Sequence, residues 1–294
     1  MMKLVHKGKR KALKTIVQKT RAGRSVCVMR PEYLAEIERF RLMDDDFMSK
    51  CLEHAPECIE LILRVILGKK DLKVVKSQTE YPIKSLQGRG VRFDVFARDS
   101  KGREYDIEIQ RSDYGAEPKR ARYNSALMDA NALKSGEDFG KLRDTYVIFI
   151  TENDVMGGSK AVYQIDRTIR ELDGKAFGDG AHIIYVNCMA KGDSAVCKLI
   201  HDLLCRNADE MYFDVLKKQV NQFKNSEEGR HAMCKAMEKI KAEGIVEGEA
   251  RGKRETMLAM AKRMLKDGIL ALKDIARYSG LSLAQVKKLQ AAQA

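Results

Sequence analysis

From residue 91 to residue 110 the chain alternates. Phe93, Val95 and Ala97 are followed, beyond Asp99-Ser100-Lys101-Gly102, by Ile107 and Ile109, a period of two interrupted by turn-forming residues. The pattern predicts a β-hairpin that carries Asp94, Phe96, Asp106, Glu108 and Gln110 on one face. A register centred on Lys101 sets Asp94 opposite Glu108, with Cβ atoms roughly 5 Å apart. Residues 145–151 (TYVIFIT) and 182–187 (HIIYVN) are unbroken apolar runs of the kind found in strands buried on both faces, and residues 72–83 read as another strand. Helical periodicity marks 56–67, opened by Pro56 and stopped at Gly68, and 116–134, between the hairpin and the 145–151 run. Strand, hairpin, crossover helix, strand is the order of an α/β mixed sheet with helices on its faces.

Beyond Asp193 the pattern is wholly helical. Val196, Leu199, Ile200, Leu203 and Leu204 form one apolar stripe, and 211–223 forms another. Gly244, Gly248 and Gly252 then recur every four residues among charged side chains. Each costs a helix about 1 kcal/mol relative to alanine. The stretch is either a flexible linker, the reading the composition favours, or a helix whose glycine face admits a second helix, as in a homodimer. Near the end, Asp274 to Ser282 followed by Val286 and Leu289 reads as two short helices about a turn at Gly280, with Ser282 as the cap of the second. If this helix-turn-helix reads DNA, Ser282, Gln285, Lys287 and Lys288 are its contacts. The alternative is a protein-binding cap.

Charge adds a division along the chain. Residues 1–41 hold 12 Lys and Arg against 3 Glu, residues 231–294 hold 13 against 7 acids, and the middle is near neutral, within an overall +13. Basic flanks favour a polyanionic partner through counterion release, although a solvated tail has the same composition. The organisation that follows is a basic arm over 1–41, a main domain over 42–225, a helical or flexible glycine-containing linker over 226–254, and a helix-turn-helix-like segment over 255–294. No apolar run approaches a membrane span, and no apolar region follows the basic first residues as a secretory leader would need. Seven cysteines, an odd number with no CxxC pair, fit reduced thiols in a cytoplasm.

Candidate chemistry centres on the hairpin. Two carboxylates on one pleat face repel unless a cation lies between them, and hard oxygen donors suit Mg²⁺ or Mn²⁺. The bland alternative is a solvent-facing edge whose acids pair with Arg92, Arg103 or Arg111. Asp44 to Asp46, likewise, are either part of a site or a helix N-terminus favoured by the macrodipole.

Several stretches together resemble the PD-(D/E)XK nuclease family transposases, the recombination-promoting nuclease group. These are Met43-Asp44-Asp45-Asp46-Phe47-Met48, the hairpin from Gly90 to Val95 with Ile107-Glu108-Ile109-Gln110, Lys119 to Tyr123, Gly136-Glu137-Asp138-Phe139, and Tyr146 to Asp154. The resemblance runs over 42–223 and implies a restriction-endonuclease-like mixed β-sheet core flanked by helices, with a helical C-terminal region. It implies a Mg²⁺- or Mn²⁺-dependent DNA endonuclease acting in recombination or transposition, with Asp94 and Glu108 as metal ligands and Asp45 as a candidate third. Gln110 stands where the superfamily has lysine, as in this group, and an amide is neither cation nor base. It would orient water or a phosphate oxygen. Arg120, Arg122 and Tyr123 would face a backbone phosphate, or else form a helix surface with the tyrosine packed on the sheet. The competing function is a transposase-derived DNA-binding protein that cuts poorly or not at all.

Overall fold

A computed structural model describes residues 17–19, 25–27, 31–85, 88–113 and 115–292. Most of the basic arm expected over 1–41 lies outside the described residues, which there comprise β1 (Val17–Lys19), β2 (Ser25–Cys27) and α1 (Pro31–Arg39). Two helices follow, α2 (Asp45–Leu52) and α3 (Pro56–Leu67). Pro56 occupies the first turn of α3, where its missing N–H costs nothing, and Gly68 ends the helix in the left-handed conformation at φ +64°.

Six strands make the central sheet: β3 (Val74–Ile83), β4 (Val91–Asp99), β5 (Glu104–Gln110), β6 (Thr145–Thr151), β7 (Val162–Ile165) and β10 (Ala181–Asn187). Their spatial order is β3-β4-β5-β6-β10-β7. The first three are antiparallel neighbours, β5, β6 and β10 run parallel, and β7 returns antiparallel at the far edge. All seven residues of β6 are buried, as its unbroken apolar sequence requires of a central strand. Between β7 and β10 lies a small excursion, β8 (Thr168–Ile169) paired with β9 (Lys175–Ala176). The hydrophobic pattern misses both this pair and β7, which are short and lie at half-exposed to exposed positions.

Helix α4 (Pro118–Ala132) is the crossover between β5 and β6. It buries Ala121, Leu127 and Met128 against Phe96, Val147 and Phe149. Register places these sheet residues on the same face as Asp106 and Glu108. One face of the sheet therefore carries both the α4 core and the candidate acids.

The hairpin turn is fastened by Asp99. Its Oδ1 accepts the N–H groups of Lys101 and Arg103, each at 2.9 Å, and its Oδ2 accepts Arg103 Nε at 2.6 Å and the Tyr105 hydroxyl at 2.8 Å. Gly102 supplies the positive φ, +81°, that closes the turn.

After the sheet come α5 (Ala195–Leu204), capped by Ser194, and α6 (Asp214–Asn225). Lys224 in α6 is buried and donates to three carbonyls, Glu38 at 3.0 Å and Phe40 and Arg206 at 2.6 Å. A buried ammonium is tolerable because each of its protons has an acceptor.

The chain divides into two compact units, Met1–Cys234 and Lys235–Ala294. The division falls inside α7 (Glu227–Asp267), so the glycine-bearing stretch is helical, correcting the preference for a flexible linker. In the second unit, α8 (Leu272–Ser279) and α9 (Leu283–Ala291) flank Gly280, whose φ is +75°. Ile275, Leu281 and Val286 pack with Ala261 of α7 into a small core. Ser282 caps α9 as expected, but Gln285 closes the capping box, accepting from the Ser282 N–H at 2.9 Å. Its side chain is thereby committed to the helix end. No described helix is long and apolar enough to cross a membrane.

Candidate active site

Strands β4 and β5 pair Val95 with Ile107, Phe96 with Asp106, Ala97 with Tyr105 and Arg98 with Glu104. That register is centred on Lys101. One step further, the Ile109 N–H donates to Asp94 Oδ2 at 2.8 Å, bringing Asp94 beside Glu108 at the open end of the hairpin. Glu108 and Asp106 are fully buried and Asp94 is partly so.

Arg120 and Asn124, one helical turn apart on α4, reach down onto these acids. Arg120 Nη2 forms an ion pair with Glu108 Oε2, its Nη1 donates to the Gly115 carbonyl at 2.9 Å, and its guanidinium lies over the Phe149 ring, 5.7 Å from the centroid. Asn124 Nδ2 donates to Asp106 Oδ2 at 2.9 Å and reaches Glu108 Oε1 at 3.5 Å. Gln110 joins the same cluster. A Cβ on Gly115, whose φ is +107°, would stand 2.6 Å from Gln110 Oε1 and 3.0 Å from Arg120 Nη1. The positive φ calls for glycine there, and a side chain would displace the ends of Gln110 and Arg120.

Three acids on one face with one facing arginine leave negative charge uncompensated. Burial, and then the charges of Glu108 and Asp45, push the Asp94 carboxyl up to about 8, against the help of the Ile109 N–H and Arg120. Burial and the Glu108 charge hold Asp106 well above the carboxylate range, and burial raises Glu108 even with Arg120 beside it. Among the described residues, Asp106 Oδ1 and Asn124 Oδ1 are buried without a hydrogen-bond partner. A cation placed among these acids would offset the repulsion that adds to burial in raising Asp94. The donor chemistry of Asp94 and Glu108, two carboxylates meeting at a hairpin end, fits a hard divalent ion.

Asp45, the candidate third ligand, lies on α2. It opens α2 at an exposed position, and among the described residues no three His, Cys, Asp or Glu side chains stand together as a metal-holding group. The Asp45 charge raises both Asp94 and Glu108. Its own carboxyl is raised by local desolvation and by Asp46, with Arg92 opposing. Asp44 turns away into a separate network. It accepts the Arg41 N–H at 2.7 Å and pairs with Arg111 at 3.0 Å, while Arg41 also binds Glu152 at 2.8 Å.

Of the three α4 residues expected to face phosphate, Arg120 is turned onto Glu108. Arg122 is exposed, and Tyr123 donates its hydroxyl to the Arg89 carbonyl at 2.6 Å. The tyrosine pins the segment that leads into β4. Asn124 and the buried Asp106 form a contact that the sequence reading did not draw. Its signal was the helical spacing of Arg120 and Asn124, which obliges two polar side chains to share one face.

No curated protein and no solved structure matches the chain. The sequence profile of the PD-(D/E)XK nuclease family transposases matches residues 58–243, a span that holds β4, β5, α4 and every acid of the buried cluster. With well over half its length inside that match, and with the six-stranded mixed sheet and flanking helices of a restriction-endonuclease-like fold, the chain belongs to the PD-(D/E)XK nuclease family transposases.

Proposed function

We propose that this protein is a divalent-metal-dependent DNA endonuclease of recombination or transposition, with Asp94 and Glu108 as the ligands of Mg²⁺ or Mn²⁺. The observation that carries the reading is the convergence of these two carboxylates at the open end of the hairpin under a single arginine. A divalent ion held there supplies Lewis-acid polarisation of the scissile phosphoryl group and acidifies water. The chain's own residues do the rest. Asn124 fixes the Asp106 and Glu108 carboxyls, so that Glu108 presents its oxygens in one orientation. Arg120 supplies the positive charge that Gln110 lacks, from a helix and not from the strand, and stabilises charge developing on phosphate oxygens. Gln110, close to Arg120 at Gly115, orients a water or a non-bridging oxygen through its amide. Arg122, exposed on α4, and Lys287 and Lys288, exposed on α9, contact the duplex backbone, with Ser282 and Gln285 holding the start of α9 in place.

A second reading rests on the same arginine. Because Arg120 already neutralises Glu108, and Gln110 cannot act as a cation, the chain would bind DNA yet cut it poorly. Supercoiled plasmid at low salt separates the two, incubated with the wild type or Asp94→Ala in Mg²⁺, Mn²⁺ or EDTA. The nuclease reading expects nicking that needs the metal and drops at least about 10³-fold in the variant, with salt-sensitive DNA binding retained. Intact plasmid throughout, with a salt-sensitive gel shift, would favour the binding protein.

A further inference from the structure

Two demands meet on the guanidinium of Arg120. Its Nη2 pairs with Glu108, whose side chain is fully buried, whereas the arginine side chain is 36% exposed. The carboxylate is fixed in place, and the arginine has room to leave it. Two further ties involve no acid: Nη1 donates to the Gly115 carbonyl at 2.9 Å, and the guanidinium rests on the Phe149 ring. They hold the group at the edge of the cluster whether or not Nη2 keeps Glu108. Asn124, which donates to Asp106 Oδ2 at 2.9 Å and reaches Glu108 Oε1 at 3.5 Å, leaves Glu108 a polar neighbour once the arginine has gone.

The reading of Asp94 and Glu108 as metal ligands, on which this inference rests, brings a second cation to the same carboxylate. A guanidinium and a divalent ion on one buried acid repel each other at short range, so they compete for it. Phosphate oxygens of a duplex match the released fork in both charge and geometry. We propose that Arg120 is an exchangeable counter-ion: it holds Glu108 in the free protein, cedes the carboxylate to the divalent ion, and turns Nη2 onto a phosphate oxygen of the substrate DNA. The arginine's contact with substrate is thereby conditional on the metal. Each ligand strengthens the binding of the other.

Anisotropy of a short fluorescein-labelled duplex tests the exchange at pH 8, in EDTA and in Ca²⁺, a hard divalent ion that the same oxygen donors accept. Arg120→Gln should cost at least about tenfold in affinity in Ca²⁺ and no more than about threefold in EDTA. The log–log salt slope should fall by about one in Ca²⁺ alone. An equal cost in both buffers, or none in either, would overturn the exchange. Because Arg120→Gln strands a buried charge, Glu108→Gln approaches the arginine from the other side. It should bind the duplex in EDTA at least about tenfold tighter than the wild type, a gain that adding Arg120→Gln abolishes. A gain that survives in the double variant overturns the exchange as well. Calorimetric titration of the free protein with Ca²⁺ keeps the two readings apart. Binding that Asp94→Asn removes, together with an equal Arg120→Gln cost in both buffers, overturns the exchange and leaves the ligands standing. No binding removes the ligand assignment and the exchange with it.

Discussion

Strand β4 ends in a carboxylate at one side of the sheet and carries another near its opposite end, and the two are in contrary condition. Asp99, buried to 1% exposure, receives four hydrogen bonds from Lys101, Arg103 and Tyr105. Burial alone would raise its carboxyl, but the Arg103 and Tyr105 hydrogen bonds outweigh it and hold Asp99 below the usual range. Asp94, which retains more exposure, has the Ile109 N–H on one oxygen and faces the charges of Glu108 and Asp45, so it is pushed up to about 8. Burial does not by itself decide the state of an acid. The donors aimed at it do, and the fold spends them on the turn and withholds them from the site.

Removing the satisfied acid should produce the largest effect. Asp99→Ala leaves Arg103, its side chain 13% exposed, without its ion-pair partner, and chemical denaturation should show a loss of about 3 kcal/mol or more. Metal linkage comes next. At pH 8, Mg²⁺ at about 100-fold its Kd should add about 2.7 kcal/mol to the wild type and nothing to Asp94→Asn. Equal shifts in both proteins would show that the ion does not bind the hairpin pair. Proton linkage is the smallest of the three. Because the folded Asp94 carboxyl lies above its unfolded value of about 3.9, its contribution to stability is fully present below about pH 4 and is lost as pH rises towards 8. In EDTA, the wild type should therefore melt earlier at pH 8 than at pH 5, by at least about 1 kcal/mol or roughly 2–4 °C. Asp94→Asn should lessen that slope, the raised Asp106 and Glu108 carboxyls carrying the remainder, whereas Asp99, with a lowered carboxyl, contributes no slope in this window.

The contrast also explains what was legible in the sequence. Local geometry writes itself plainly. The hairpin register follows from alternation and the Asp99–Gly102 turn, α3 from Pro56 and Gly68, and β6 from the apolar run Tyr146 to Ile150 between two threonines. What escaped is what depends on a second element. The partners of Arg120 and Asn124 lie 12 to 18 residues away on β5, and no periodicity within α4 says which of its faces meets them. Gln285 reads as a DNA contact although Ser282, three residues before it, is already placed as the cap; its side chain closes the capping box on the Ser282 N–H. The 243–252 stretch misled in the opposite sense. Its glycines lower helix propensity, yet the helix continues through them, since propensity is a weak prior against the rest of a 41-residue helix.

Lys224 bears on how this chain can vary. It holds Glu38, Phe40 and Arg206 by their backbone carbonyls, which every amino acid possesses. Substitutions at those three positions leave the tie intact, whereas nearly any at 224 removes it. Arginine is wider and methionine donates nothing, so three carbonyls would be stranded at once. Mutational freedom around the junction of entry segment and α6 is thus distributed unequally: one side chain is constrained so that three others are free to drift.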